Sequence, residues 1–187
     1  MSFSKNTEPD LSLERLIAQA LVKLQSYQKS TADRWLLVDV AGQRLVLLSG
    51  DTQRGGWPVS TAAAGLDNQQ DSGGTPAGVH RIAEKIGADC PAGTVFSSRK
   101  PTGTVWQPGQ ETPDDLILTR ILTLDGCQPG INRGPGIDSL ARYIYLHGTN
   151  HEPLIGQPVS HGCIRLTNAD ITAVFDLIEQ GDTVVII

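Results

Sequence analysis

The amino-acid sequence predicts a mainly β domain with one helix near each end. Three observations predict it. Apolar residues recur at helical spacing only over residues 10–28 and again after Thr167, short β-type runs fill the interval between, and the connections are rich in Gly, Pro, Asp and Asn. Crossover helices are therefore not expected between the strands.

In chain order, Leu13, Leu16, Ile17, Ala20, Leu21, Leu24 and Tyr27 fall at steps of three and four, opposite Glu14, Lys23 and Gln25, with Asp10 or Ser12 as the N-cap. This is an amphipathic helix. Its polar face lacks the Lys/Arg enrichment of membrane-surface helices, so packing on the domain is the expected role. Trp35 to Val40 and Arg44 to Leu48, joined by Ala41-Gly42-Gln43, read as a hairpin. Further strands are expected at Trp57 to Ser60, Gly78 to Ile82, Leu116 to Leu124, Tyr143 to Leu146 and Thr183 to Ile187. Segments 65–76, 87–114 and 126–138 read as loops. The last helix starts at Thr167 or Asn168, carries Asp170 in a capping-box position, buries Ile171, Val174, Phe175 and Ile178, and stops at Gly181.

Composition narrows the function classes. The 187 residues carry 15 Lys+Arg against 20 Asp+Glu, a net charge of −5, and three each of Trp, Tyr and Phe. Without a cationic face or many stacking rings, nucleic acid is not an expected partner. No run approaches the ~18 apolar residues of a spanning helix, so no membrane insertion is expected. The first ten residues hold no apolar core of ~7–15 residues such as a secretory signal needs, which predicts a cytoplasmic location, with a periplasmic one as the alternative. Cys90, Cys127 and Cys163 are too few and scattered for a disulfide framework, and no Cys/His cluster suggests a metal. No cofactor fingerprint is present, so none is expected.

Chemistry concentrates late in the chain, where His147, His151 and His161 fall within fifteen residues and Cys163 follows. A thiol becomes a nucleophile when an imidazole takes its proton. The strand ending at Leu146 delivers His147, and the loop 148–159 returns the chain so that Cys163 can face it. Gly162 leaves backbone N–H groups free near the sulfur, as an oxyanion requires. Acyl transfer is the expected reaction class. No carboxylate suggests itself as the group orienting the imidazole, which leaves a backbone carbonyl or Asn150. His147 and His151 as an i,i+4 metal pair is rejected, because Gly148 and Thr149-Asn150 argue against a helix there. Ser97-Ser98-Arg99-Lys100 fits a Ser-x-x-Lys pattern but lacks its partner motifs and reads as solvated loop.

Ser160-His161-Gly162-Cys163-Ile164-Arg165-Leu166, with His147-Gly148-Thr149 sixteen residues ahead of the Cys, resembles the signature of the L,D-transpeptidase (YkuD) family. Thr75-Pro76-Ala77-Gly78 is similar to the family's upstream Thr-Pro-x-Gly strand motif, and Trp57-Pro58-Val59-Ser60 to the strand before it. The resemblance implies a β-sandwich-like catalytic domain over residues 34–187, preceded by a helical extension over 1–33. It implies attack by Cys163 on a peptidoglycan stem peptide after the L-centre of meso-diaminopimelate. His147 would be the base, oriented by the carbonyl of Gly148, with amides of Gly162 and Cys163 as oxyanion donors. Ser160 and His161 would line the pocket, Arg165 would support the loop or a substrate carboxylate, and carbapenem-type inhibitors would label the thiol. Water as acceptor gives an L,D-carboxypeptidase of muropeptide recycling, the expected reading; an amine gives 3-3 cross-links or D-amino acid exchange. An inactive peptidoglycan-binding module and a thiol redox protein are the remaining readings.

Overall fold

A computed structural model describes residues 11–27, 34–112 and 114–187. The first helix, α1, covers Leu11–Ser26. Asp10, one of the two expected caps, and Gln28 lie outside the described residues. The hairpin forms as β1 (Arg34–Asp39) and β2 (Arg44–Ser49), paired antiparallel with Leu36 opposite Leu47.

Strand β1 explains why its sequence is a continuous apolar run rather than an alternating one. Leu36 and Val38 enter one core cluster with Leu45, Leu122, Leu146, Ile164 and Val184. Trp35 and Leu37, pointing the other way, join Leu13, Ile17, Ala20 and Leu24 of α1 in a second. Both faces of the sheet are covered here, and a strand buried on both faces has no polar side to alternate with. The helix earns its place by covering the outer face of the sheet.

The remaining strands are β3 (Thr52–Pro58), β4 (Gly78–Ile86), β5 (Thr94–Ser97), β6 (Lys100–Val105), β7 (Ile117–Gly126), β8 (Tyr145–Gly148), β9 (Ile164–Leu166) and β10 (Thr183–Ile186). Their order along the sheet is β3-β2-β1-β10-β4-β7-β5-β6, with β8 pairing β7 and β9 at a branch. The branch forms because β7 is long and breaks register between Leu118 and Ile121. Thr119 sits in that break at φ 70.

Three expectations need correction. The segment 87–114 is not all loop: β5 and β6 form a hairpin in it, and Ser98 and Arg99 make its turn in the left-handed region, at φ 47 and 67. Pro101 and Gly103 hid β6, which survives because it is an edge strand where a missing N–H is tolerated. The third strand starts at Thr52, five residues before the expected position, because an exposed edge needs few apolar residues. Strand β8 starts two residues late and so contains His147 rather than ending before it.

The second helix, α2, covers Asn168–Leu177 and is capped by Thr167, whose hydroxyl accepts from the Asp170 amide at 3.0 Å. It buries Ile171, Val174 and Phe175; Ile178 follows the helix and is fully buried too.

Between the sheet and the 126–139 loop, the fully buried His80 of β4 sits with Nδ1 at 3.1 Å from the Gly78 carbonyl and Nε2 at 2.9 Å from Ser139 Oγ. Burial is the main cause that lowers its pKa from 6.5 to about 4, against the Gly78 carbonyl, which raises it. The unfolded chain takes up a proton near pH 6.5 that the fold refuses until about pH 4, so this contribution is complete above 6.5 and falls as pH drops through that window. Lowering the pH from 7 to 5 is expected to cost about 2 kcal/mol through His80. Urea midpoints measured across that range should lose part of their pH slope in His80→Asn. Leu24→Ala, in the cluster joining α1 to β1, is expected to cost about 2–4 kcal/mol in the same measurement.

Candidate active site

Strands β8 and β9 run parallel, with Leu146 opposite Ile164, His147 opposite Arg165 and Gly148 opposite Leu166. Side chains alternate across a strand. Leu146, Ile164 and Leu166 therefore enter the main core, while His147 and Arg165 occupy the opposite face. Cys163, one residue ahead of β9, joins Tyr145, Phe96 and Ile121 in a third apolar cluster on that face. The parallel pairing thus puts Tyr145, His147, Cys163 and Arg165 on a common surface.

His147 is 3% exposed, and its Nδ1 lies 2.7 Å from the Gly148 carbonyl. A carbonyl only accepts, so Nδ1 carries the hydrogen and Nε2 presents a lone pair. Gly148 has no room for a side chain: a Cβ there would lie 2.5 Å from Asn168 Oδ1 and 2.9 Å from the Leu118 carbonyl. This close approach is what requires glycine. Asn150, the other group considered for orienting the ring, is engaged elsewhere, accepting from the Leu116 amide at 2.9 Å and donating to the Asp114 carbonyl at 2.9 Å.

The Cys163 thiol is half-buried and donates to the Tyr143 carbonyl at 3.4 Å rather than to His147. Tyr143 stands at φ 60, a conformation that costs energy for a non-glycine residue and is characteristic of functional sites. Burial pushes the thiol up to about 11, against the Tyr145 amide and Arg165, which favour the thiolate. Burial also pulls His147 down to about 4, offset in part by the Gly148 carbonyl. At neutral pH both groups are uncharged.

The turn carrying Cys163 is built by Ser160, whose hydroxyl donates to the Cys163 carbonyl at 2.6 Å and accepts from the Gly162 amide at 3.2 Å. Ser160 is 2% exposed, and the amide of Gly162, expected as an oxyanion donor, donates to its hydroxyl in this structure. Gly162 is needed for its φ of 130, and its carbonyl accepts from Thr75 Oγ1 at 2.9 Å, which ties the upstream Thr-Pro motif to the turn. His161, with its side chain 86% exposed, lines a cleft of about 510 Å³ with Gln70, Asp71, Arg142 and Tyr143.

Arg165 is buried, and its Nη2 pairs with Asp115 Oδ2, while its Nε has no partner. It is not among the residues that line the cleft. Several neighbours carry no motif and escape a reading by spacing. Asp115 lies just ahead of β7. Arg142 reaches the carbonyls of Asp67 and Gly74 at 3.0 and 2.8 Å. Arg99, from the Ser-x-x-Lys stretch set aside as solvated loop, donates to the Tyr145 hydroxyl at 2.9 Å and to the Leu140 carbonyl at 2.6 Å, and lies 4.7 Å from the Tyr143 ring centre.

A family model described as the L,D-transpeptidase catalytic domain, YkuD, matches residues 33–187. Among curated proteins, the chain is 38% identical over 92 residues to "Probable L,D-transpeptidase ErfK/SrfK" of Salmonella typhimurium, covering 48% of this chain and 29% of that one. It is 31% identical over 103 residues to "Probable L,D-transpeptidase YbiS" of Escherichia coli, covering 54% and 34%. The matched segments thus span about a third of these relatives. Among solved structures, an L,D-transpeptidase in complex with imipenem is similar at TM-score 0.51 and 17% identity, over 82% of this chain and 58% of that one. L,D-transpeptidase 3 from Mycobacterium tuberculosis is similar at 0.52 and 15%, over 82% and 60%. With a branched sheet, a buried imidazole tied to the next glycine and a thiol on the same strand face, the chain belongs to the YkuD family of L,D-transpeptidase catalytic domains.

Proposed function

We propose that the chain is a cysteine acyl-transferase acting on peptidoglycan stem peptides, with Cys163 as nucleophile and His147 as base. The observation that carries this reading is the neutral imidazole with its Nδ1–H fixed on Gly148, leaving Nε2 as acceptor on the strand face that also bears the thiol. Because thiol and ring both rest uncharged, attack and proton transfer are coupled rather than starting from a preformed ion pair. As Sγ bonds to the carbonyl carbon, its proton passes to Nε2 and then to the departing amine of D-Ala, leaving a thioester. The Cys163 amide is the oxyanion donor that remains of the two expected. Arg142 and Asp71 give the cleft charges of both signs, complementary to a stem peptide that bears carboxylates and an ammonium group.

Water is the proposed acceptor: His147 takes its proton, the hydroxide displaces the thiol, and an L,D-carboxypeptidase results. The exposed flank at His161 gives water access. The relatives' names favour the second reading, an amine as acceptor.

Purified protein incubated with a disaccharide tetrapeptide is expected to release D-Ala by mass analysis without any added amine. Release that depends on a D-amino acid or a second stem peptide would move the assignment to transpeptidation. Cys163→Ala is expected to abolish both outcomes, and Cys127→Ala to retain the parental rate; turnover surviving Cys163→Ala would end the mechanism. Gly148→Ala, by forcing a methyl against the Leu118 carbonyl, is expected to lower kcat at least about tenfold with a smaller change in KM.

A further inference from the structure

We propose that Asp115 is a positioning residue of this site, whose carboxylate gathers Arg165, His161 and His151 around the Cys163–His147 pair and neutralises the guanidinium packed there. The inference rests on the proposed acyl transfer for its purpose, though the geometry stands without it.

Asp115 belongs to none of the strands that carry the site, yet it touches three of the segments around it. Its Oδ2 bonds Arg165 of β9 and lies 3.6 Å from Nδ1 of His161 in the Cys163 turn. Its Oδ1 lies 3.7 Å from Nδ1 of His151 in the loop that follows His147. Asn150 pins the backbone on both sides of it, through the amide of Leu116 and the carbonyl of Asp114. A lone surface carboxylate has no need of such a clamp. One residue after His147-Gly148-Thr149 fixes the aspartate, and the aspartate in turn fixes the residues flanking Cys163.

The reason for a carboxylate follows from Arg165. Its side chain is 3% exposed and its Nε is unsatisfied, so Asp115 is the charge that offsets a buried cation. That cation faces both members of the reacting pair: it favours the thiolate of Cys163 and disfavours the imidazolium of His147, and Asp115 opposes it at both. The other charged or titratable groups in reach are Arg142, which also favours the thiolate, and, on the solvent side of Asp115, the imidazoles of His151 and His161. Burial is the main cause that keeps the thiol protonated, and Asp115 adds to it; at the ring, where burial works against protonation, Asp115 opposes both burial and Arg165. Without it, Arg165 acidifies the thiol and makes the ring a poorer base.

The test titrates the thiol and needs no substrate. In a Cys90→Ala/Cys127→Ala background, the rate of Cys163 alkylation by iodoacetamide is followed from pH 6 to 11. Asp115→Asn is expected to lower the apparent pKa by about one unit, a tenfold gain in thiolate at a given pH. Asn150→Ala, which frees the aspartate without removing it, is expected to shift it the same way by less, and Asp115→Glu to restore the parental profile. Circular dichroism selects the folded variants, and Asn150→Ala keeps the question open to refutation if Asp115→Asn does not fold. A thiol profile that coincides with the parent's in the folded variants overturns the proposal, whatever happens to thermal stability. D-Ala release is read in parallel, where Asp115→Asn is expected to lose at least about tenfold in kcat with KM within about threefold. A parent that alkylates normally yet releases no D-Ala would count against the proposed reaction and leave the role of Asp115 readable from the thiol.

Discussion

The parallel pairing of β8 with β9 is the constraint on which the site depends. Register in a sheet is all or nothing: a slip of one residue turns every side chain to the opposite face. Here the register is held by Leu146, Ile164 and Leu166, which are fully buried in the main core. Moving them out would expose three large apolar side chains, each contributing about 1.5–3 kcal/mol by burial. His147 and Arg165 ride on the other side of the same two strands, with Cys163 just ahead of β9. Their alignment is thus set by hydrophobic packing they take no part in, and the polar contacts at the site only refine it.

Refinement comes from a chain of hydrogen bonds that leads away from the ring. The Gly148 carbonyl holds His147, and Gly148 is pressed between the Leu118 carbonyl and Asn168. Asn168 donates to the Thr149 carbonyl at 2.9 Å and to Glu152 Oε1 at 2.8 Å, and accepts from Thr119, the residue in the break of β7. The first residue of α2 therefore anchors both the strand that bears the imidazole and the irregularity that lets β7 serve two partners. Buried polar networks of this kind are costly when incomplete and rigidifying when complete. A site tuned by burial, with a thiol raised and a ring lowered, needs that rigidity, because admitting water would return both groups toward their ordinary values.

The two helices, the hairpin β1–β2 and the main strands were legible because their burial is periodic or continuous in sequence. What escaped was encoded by pairing. Strand β6, paired with β5 at one edge of the sheet, holds a Pro and three Gly or Thr residues where an apolar pattern would have marked it. Strand β9 is three residues long, and its Ile-Arg-Leu reads as the tail of a motif rather than as a strand. Cys163 and His147 stood out because a thiol nucleophile needs a nearby imidazole, while Gly148 and the spacing of the pair were legible only through the resemblance to the family. Ser160 and Gly162 were recognised as members of the motif, but their part in closing the turn depends on which atom meets which, and spacing does not carry that. Asp115, Arg142 and Arg99 come from three separate loops with no local signature, so only the fold could bring them beside the thiol.

The electrostatics of the site explain why such residues arrive in pairs. Any fixed charge near a thiol and an imidazole that exchange one proton helps one and hinders the other. A lone cation deepens the thiolate and weakens the base; a lone anion does the reverse. Only a cation and an anion held together leave the proton balance of the pair nearly unchanged while supplying structural bonds in every direction. Arg165 and Asp115 are such a pair, one buried in the strand beside His147 and the other reaching in from the loop before β7. The buried guanidinium gives β9 a fixed seat, and the carboxylate makes that seat electrically tolerable to the chemistry beside it.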